Sequence, residues 1–140
     1  MQENVGGCHC GAIGFSYCTA LIVPEWSIRA CQCSFCRAHG ARTTSDPDGN
    51  VRFSVREPRL PGLYRFGQSV TDFLVCSRCG VYIGALIDTP KGKYGIVNVN
   101  ALDPVPADIP VAEPMYYGAE SKQERIARRE QRWSPAEIAR

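Results

Sequence analysis

Two pairs of cysteines far apart in the sequence constrain this chain most. They are Cys8 and Cys10 in "GGCHCG", and Cys76 and Cys79 in "CSRCG". In an extended strand alternate side chains share a face, with Cα atoms about 6.6 Å apart, so the first pair can lean onto one ion while His9 points away. The second pair suits a tight turn ended by Gly80, because glycine tolerates the positive φ that such a turn requires.

Together the two pairs predict a structural zinc site with four thiolate ligands. Closed zinc sites are tetrahedral, and pairs of closely spaced cysteines commonly supply their ligands. A metal that joins the two pairs would close a loop of about 65 residues and so contribute directly to folding. Isolated cysteines buried in a core would have no reason to adopt both spacings.

A third group of cysteines, in "CQCSFC", has only three members. Cys31, Cys33 and Cys36 can all reach one ion. Three protein ligands with an open fourth position are typical of a catalytic zinc. His39 or Cys18 could close the site, although His39 as a surface residue and Cys18 as a small core residue are the alternatives. Spacing alone also leaves open a different grouping of the seven thiols.

Composition predicts one small domain. The chain has 140 residues, of which 44% are hydrophobic, enough for a single modest core. A formal net charge of +2 is too small to indicate a nucleic-acid partner. The first residues lack the basic start and apolar run of a signal peptide, and no stretch approaches the ~18 apolar residues of a membrane helix. We therefore expect a cytoplasmic protein with reduced thiols and no membrane partner.

Hydrophobic periodicity predicts a mainly β fold. Apolar residues alternate with polar ones at Ile13, Phe15 and Tyr17, at Val51, Phe53 and Val55, and at Val97 and Val99. Further candidate strands cover residues 26–31, 63–66, 71–76 and 81–87. Such alternation is typical of half-buried strands. Because no helix long enough for a parallel crossover lies between these segments, we predict antiparallel sheets.

The C-terminal part of the sequence predicts a strap and a helix. The proline-rich residues 103–114, "DPVPADIPVAEP", cannot form a central strand. The following "SKQE" matches a capping box and predicts a helix that runs to Trp133. On it, Ile126 and Trp133 share a face, and Glu124 is placed to pair with Arg128. We interpret this helix as solvated and docked by one apolar stripe, since acidic residues interrupt its arginines.

Several motifs, in this order, carry a resemblance to a known family. They are "GGCHCGAIGFSY", "CQCSFCRAHG", "LYRFG", "FLVCSRCGVYIG" and "IVNVNALD". Residues 6–103 resemble the glutathione-dependent formaldehyde-activating family, which includes the centromere protein V domain. The tail "ARREQRWSP" also resembles tails of that family. The three cysteine motifs are the specific part of the match.

The resemblance implies a fold, two zinc ions and a reaction. The implied fold is a β-tent of small antiparallel sheets over residues 6–103, with the strap and helix of residues 104–140 packed on the same domain. The structural zinc would lie on Cys8, Cys10, Cys76 and Cys79, and a second, catalytic zinc on Cys31, Cys33 and Cys36. The implied reaction adds glutathione, as cosubstrate, to formaldehyde or reverses that addition, which is carbon–sulfur lyase chemistry on a small thiol and an aldehyde.

Two other functions remain open on the sequence. Both zinc ions could be structural in a module that binds protein or nucleic acid, or the exposed three-cysteine group could sense oxidation by releasing zinc. Five arginines could hold a substrate carboxylate: Arg29, Arg37, Arg42, Arg65 and Arg78.

Overall fold

A computed structural model describes residues 1–59 and 61–139, without the side chains of residues 61–63. Its strands are β1 (Gln2–Gly7), β2 (Ile13–Thr19), β3 (Arg29–Cys31), β4 (Thr43–Thr44), β5 (Asn50–Val55), β6 (Pro61–Tyr64), β7 (Asp72–Cys76), β8 (Tyr82–Thr89), β9 (Gly92–Asn98), β10 (Glu113–Met115) and β11 (Ser134–Ala139). Its α-helices are α1 (Ser34–His39) and α2 (Lys122–Arg132). Leu60 and Arg140 lie outside the described residues. Leu60 belongs to the predicted domain of residues 6–103, and Arg140 belongs to the predicted strap and helix of residues 104–140.

The strands form one open, branched sheet. Its main path runs β1-β2-β5-β11-β9-β4-β3-β10, and β8, β7 and β6 extend in turn from β9. The adjacent pairs β1–β2, β6–β7, β7–β8 and β8–β9 are antiparallel. The prediction of a mainly β fold with a C-terminal helix is confirmed.

Two strand pairs depart from the antiparallel pairing that the sequence predicts. β10 runs parallel to β3, and β11 runs parallel to β5. In both cases a long connection precedes the strand. β10 lies in the proline-rich strap, and β11 follows α2. A parallel pair requires a crossover of a dozen or more residues, and these segments supply it. The strand after "SP", β11, was not predicted.

The core lies on both sides of this sheet and follows the alternation in the sequence. Val51, Phe53 and Val55 are all buried on β5, with exposed or half-buried residues between them. One hydrophobic cluster gathers around Tyr17, Phe53, Ile83 and Val97. A second cluster gathers around Phe73, Tyr82, Ile87 and Trp133 and contacts the three-cysteine group. Neither α-helix of the described chain has the length and hydrophobicity needed to cross a membrane.

The helix α2 begins as predicted but pairs differently. Ser121 Oγ accepts a hydrogen bond from Glu124 N at 3.1 Å, and Glu124 Oε1 accepts one from Ser121 N at 2.9 Å, which completes the capping box. The predicted pair between Glu124 and Arg128 is wrong. Arg128 instead donates to Glu120 at 2.7 Å, because the carboxylate of Glu124 is engaged at the helix start.

Candidate metal centres and the cleft beside them

Four cysteines predicted to share an ion lie together. The sulfur atoms of Cys8, Cys10, Cys76 and Cys79 all lie within 4.8 Å of one another. Cys8 Sγ lies 3.8 Å from Cys10 Sγ, and Cys10 Sγ lies 3.6 Å from Cys76 Sγ. Thiolates at about 2.3 Å from a tetrahedral zinc are about 3.8 Å apart, whereas a disulfide would bring two sulfurs to about 2.05 Å. The donor set and its spacing therefore fit a closed zinc site.

The first pair of this four-cysteine cluster lies in a turn, not in the extended strand that the sequence predicts. β1 ends at Gly7, and Gly11 N donates to Cys8 O at 3.2 Å to close a turn before β2. Gly11 has φ of 84°, a conformation that favours glycine. Ile13 N donates to Cys8 Sγ at 3.3 Å, so the turn also orients one sulfur.

The second pair forms the predicted tight turn at the end of β7. Gly80 N donates to Cys76 O at 2.8 Å, and Gly80 has the expected positive φ, of 79°. Cys79 N donates to Cys76 Sγ at 3.5 Å. Backbone N–H groups aimed at sulfur stabilise the thiolate form that metal binding requires.

Burial and local hydrogen bonds give the four thiols different pKa values. Burial raises the pKa of Cys8 to about 11. Burial acts in the same direction on Cys79, but hydrogen bonds from the backbone N–H groups of Cys10 and Val81 outweigh it and lower its pKa to about 6. The exposed side of the cluster thus already favours negative charge, while its buried side needs a cation to become ionised.

The three-cysteine cluster is built by the junction of β3 and α1. Cys31 ends β3, Cys33 is the N-cap of α1, and Cys36 lies buried inside that short helix. Their sulfur atoms all lie within 4.8 Å of one another. Cys36 N donates to Cys33 Sγ at 3.4 Å, and these two cysteines are joined by the first turn of a helix that was not predicted.

This cluster favours one ionised sulfur between two thiols. Hydrogen bonds from the Cys31 and Cys36 side chains lower the pKa of Cys33 to about 2. Hydrogen bonds with the side chains of Cys31 and Cys33 raise the pKa of Cys36, and the hydrogen bond with Cys33 raises that of Cys31. Because one sulfur ionises easily and the other two lie close to it, the cluster is suited to a divalent cation.

Neither residue considered as a fourth ligand joins this cluster in the described part of the chain. His39 is the exposed last residue of α1, and its ring lies 4.6 Å from that of Phe35. Cys18 is half-buried on β2, opposite Asn50 of β5. Neither of them, nor His9, belongs to a group of possible metal ligands among residues 1–59 and 61–139.

The three-cysteine cluster lines a cleft of about 490 Å³, a volume typical of small-molecule sites. Four arginines line the same cleft: Arg29, Arg125, Arg128 and Arg129. Its aromatic lining consists of Phe66, Phe73, Tyr82, Tyr116, Tyr117 and Trp133. We call this space the arginine cleft.

Comparison with known proteins gives one informative match. No protein-family model matches the chain, and no curated protein matches it. It is similar to a Rhodobacter sphaeroides protein whose crystal structure was determined as a structural genomics target, with 31% sequence identity and a TM-score of 0.56. The match covers 79% of this chain and 99% of that one. The chain belongs to the same family as the Rhodobacter protein.

In this member of the Rhodobacter protein's family, the cleft arginines differ from those expected. Of the five arginines that the sequence suggested, only Arg29 lines the cleft. Arg42 donates to Asn100 Oδ1 at 2.7 Å, Arg65 pairs with Asp72, and Arg37 and Arg78 are exposed elsewhere. The other three cleft arginines come from α2.

A signal for the missed arginines was present in the sequence. Arg125, Arg128 and Arg129 stand at positions i, i+3 and i+4, which share one face of a helix. Because α2 was interpreted as a solvated helix, this face was not predicted to line a cleft. Arg129 is in fact only 9% exposed, and its guanidinium carbon lies 4.5 Å from the centre of the Trp133 ring.

Proposed function

We propose that the protein is a zinc-dependent carbon–sulfur lyase of the glutathione-dependent formaldehyde-activating type, which forms or cleaves an S-hydroxymethyl thiol adduct. One observation carries the proposal. The three thiols of Cys31, Cys33 and Cys36 line a small-molecule cleft, and no fourth cysteine or histidine of the described residues lies among them. The resemblance of the cysteine motifs to that family supports the same assignment.

The proposed reaction needs an ionised substrate thiol beside an aldehyde. The sulfur donates an electron pair to the carbonyl carbon, a carbon–sulfur bond forms, and the carbon–oxygen π bond breaks as the oxygen takes up a proton. The proton lost by the thiol balances the one gained by the oxygen. A zinc ion bound by three thiolates would supply the positive charge that favours the ionised form of a substrate thiol.

The chain's own residues would orient the reactants and exclude water. Phe73 and Trp133 give the cleft an apolar wall beside the three-cysteine cluster. Tyr82 also lines the cleft, and its hydroxyl is buried without a hydrogen-bond partner in the described structure. Because burial raises the pKa of Tyr82, the hydroxyl stays protonated and can donate a hydrogen bond to the aldehyde oxygen.

The proposed activity requires that both cysteine clusters bind zinc and that their thiols stay reduced until then. Two zinc ions would be bound, with glutathione as the cosubstrate, in a reducing compartment such as the cytoplasm. All eight cysteines, which lie within the described residues, are free thiols. Metal binding in place of disulfides requires that they stay reduced until the ions are bound.

Calorimetric titration of the zinc-loaded protein with glutathione tests this function. We expect binding to release a proton, because the substrate thiol ionises on binding, and to weaken as the pH falls. Cys33→Ala should abolish this binding and any acceleration of adduct formation over the spontaneous reaction. Buffers of different ionisation enthalpy measure the proton release directly.

The His39→Ala variant serves as the matched control. His39 does not join the three-cysteine cluster, so this variant should keep two zinc ions and bind glutathione like the wild type. Loss of the second metal in His39→Ala would show a closed site and favour a binding module. Zinc release on exposure to peroxide, without glutathione binding, would favour a redox sensor instead.

A further inference from the structure

Two arginines of the cleft have no acidic partner among the described residues. Four arginines line the cleft, and none of the described residues that line it is acidic. Glu120 forms ion pairs with Arg125 and Arg128. Within residues 1–59 and 61–139, neither Arg29 nor Arg129 forms an ion pair with a carboxylate. Apart from the three-cysteine cluster, the cleft thus carries four positive charges, and the one carboxylate paired with them is that of Glu120 beside the cleft.

Both unpaired guanidinium groups are held in place by neutral partners. Arg29 Nη2 donates to Ser45 Oγ at 2.5 Å, and that hydroxyl donates in turn to the carbonyl oxygen of Arg132 at 2.8 Å. Arg129 Nη1 donates to Thr71 Oγ1. These contacts fix the positions of the two cations without neutralising them, which is the arrangement that a site for an external anion requires.

Arg129 also carries an unsatisfied donor. Its Nε is buried and has no hydrogen-bond partner in the described part of the chain, while its guanidinium group lies against Trp133. A buried charged donor without a partner is costly to the fold. In native structures such a group often marks a functional site or an ion that the chain itself does not supply.

The ionised sulfurs of the three-cysteine cluster do not neutralise this charge once a metal is bound. Three thiolates and one divalent ion carry a net charge of −1, so the cleft as a whole stays positive. Carboxylates suit such a site, since a guanidinium group can bind both oxygens at once.

We propose that Arg29 and Arg129 form a carboxylate-binding subsite that makes the cleft selective for thiols bearing a negative charge. The inference rests on the proposed function for the identity of the thiol, glutathione. It adds that the cleft recognises the carboxylate, which distinguishes this thiol from an uncharged one. The carboxylate would be held by the arginines while the sulfur faces Cys31, Cys33 and Cys36. Arg29 and Arg129 are then specificity-determining residues.

S-methylglutathione separates this subsite from the metal site, because its sulfur has no proton to lose while its carboxylates are intact. We expect calorimetric titration to show that it binds the zinc-loaded wild type and that added salt weakens the binding. Arg29→Gln and Arg129→Gln should each weaken it about ten- to hundredfold, the range for losing a hydrogen bond to a charged group. The diethyl ester of S-methylglutathione should bind weakly to all variants alike.

Arg132→Gln is the matched control on the same helix. Arg132 is exposed and does not line the cleft, so this variant should bind S-methylglutathione like the wild type. Should Arg129→Gln fail to fold, as judged by circular dichroism, Arg29→Gln decides the matter. Equal binding of S-methylglutathione by the wild type and Arg29→Gln, or none by the wild type, would overturn the inference.

The same titrations distinguish this inference from the proposed function. Arginine-dependent binding of S-methylglutathione without any zinc-dependent binding of glutathione would leave the subsite standing and reject the lyase. Zinc-dependent binding of glutathione that is insensitive to Arg29→Gln would support the lyase and reject the subsite.

Discussion

At the scale of single residues, close packing in the sheet depends on Gly84. This residue lies on β8, and a Cβ added to it would collide with the carbonyl oxygen of Ile96 and lie 2.8 Å from the Phe53 ring. Phe53 is fully buried, and Ile96 belongs to the paired strand β9. Neither neighbour can move without disturbing the core, so the sheet requires glycine here.

We predict that Gly84→Ala lowers the free energy of unfolding by about 1–3 kcal/mol, the usual cost of overpacking. Gly14→Ala on β2 is the control, since the three atoms nearest to its added Cβ all belong to the end of the Arg56 side chain, the closest at 2.6 Å. Arg56 is exposed and can swing away, so the control should lose less than about 1 kcal/mol. Urea denaturation measures the free energy of unfolding of both variants. Equal losses of this free energy would show that the Phe53 ring can move aside at little cost.

At the scale of elements, α2 positions the arginine cleft through a small network at its start. Glu120 accepts hydrogen bonds from Arg128 at 2.7 and 3.0 Å, and the Arg128 guanidinium carbon lies 3.6 Å from the centre of the Tyr117 ring. Arg125 Nη2 donates to Tyr117 O at 2.9 Å. The strap and the helix are thereby joined beside the cleft.

This network predicts a pH dependence of stability. The hydrogen bond from Arg128 lowers the pKa of Glu120 below its ordinary value. A carboxyl with a depressed pKa stabilises the fold above the unfolded-state pKa of about 4.3, and this contribution is lost as the pH falls through the folded-state pKa. Glu120→Gln should therefore be less stable than the wild type at pH 7, by about 0.5 kcal/mol after solvent screening.

Thermal unfolding from pH 7 down to pH 3 tests this prediction through the difference between the two proteins. Loss of metal at low pH affects both, so the difference isolates Glu120 and should shrink below about pH 4. Glu113→Gln, which removes a carboxylate that forms no ion pair in the described structure, is the control and should follow the wild type throughout. A difference that stays constant down to pH 3 would contradict the assigned role.

At the scale of the whole molecule, the four-cysteine cluster joins the β1–β2 turn to the end of β7. Cys76 is 1% exposed and belongs to the main core cluster, whereas Cys36 lies in the short helix α1 and closes only a local loop. Closing a long loop with a metal stabilises a fold more than closing a short one. The two clusters should therefore differ in what their loss does.

We predict that Cys76→Ser loses several kcal/mol of stability and yields largely unfolded protein, while Cys36→Ser stays folded with about one zinc ion fewer. Cys18→Ser, outside both clusters, should keep both ions. Metal analysis combined with circular dichroism makes the comparison. The reverse order of damage would show that the structural and separable sites have been exchanged.

The sequence predicted the parts of this protein that depend on neighbouring residues. The spacing within each cysteine motif selected the residues that now cluster, although Cys8 and Cys10 meet in a turn instead of on a strand. Period-two alternation located β2 and β5, and the capping box located the start of α2. The parallel pairs β3–β10 and β5–β11 were missed, because pairing across a long connection leaves no local pattern.

What the sequence determined by itself is the set of possible metal ligands and the alternation of the strands, since both depend on residues a few positions apart. Only the tertiary structure decided that the three-cysteine cluster faces the arginines of α2, which lie about ninety residues further along the chain. Arg29 of β3 and Arg129 of α2 line the same cleft although a hundred residues separate them in the sequence. Their placement results from summed hydrophobic burial and strand pairing over the whole molecule, which no local motif specifies.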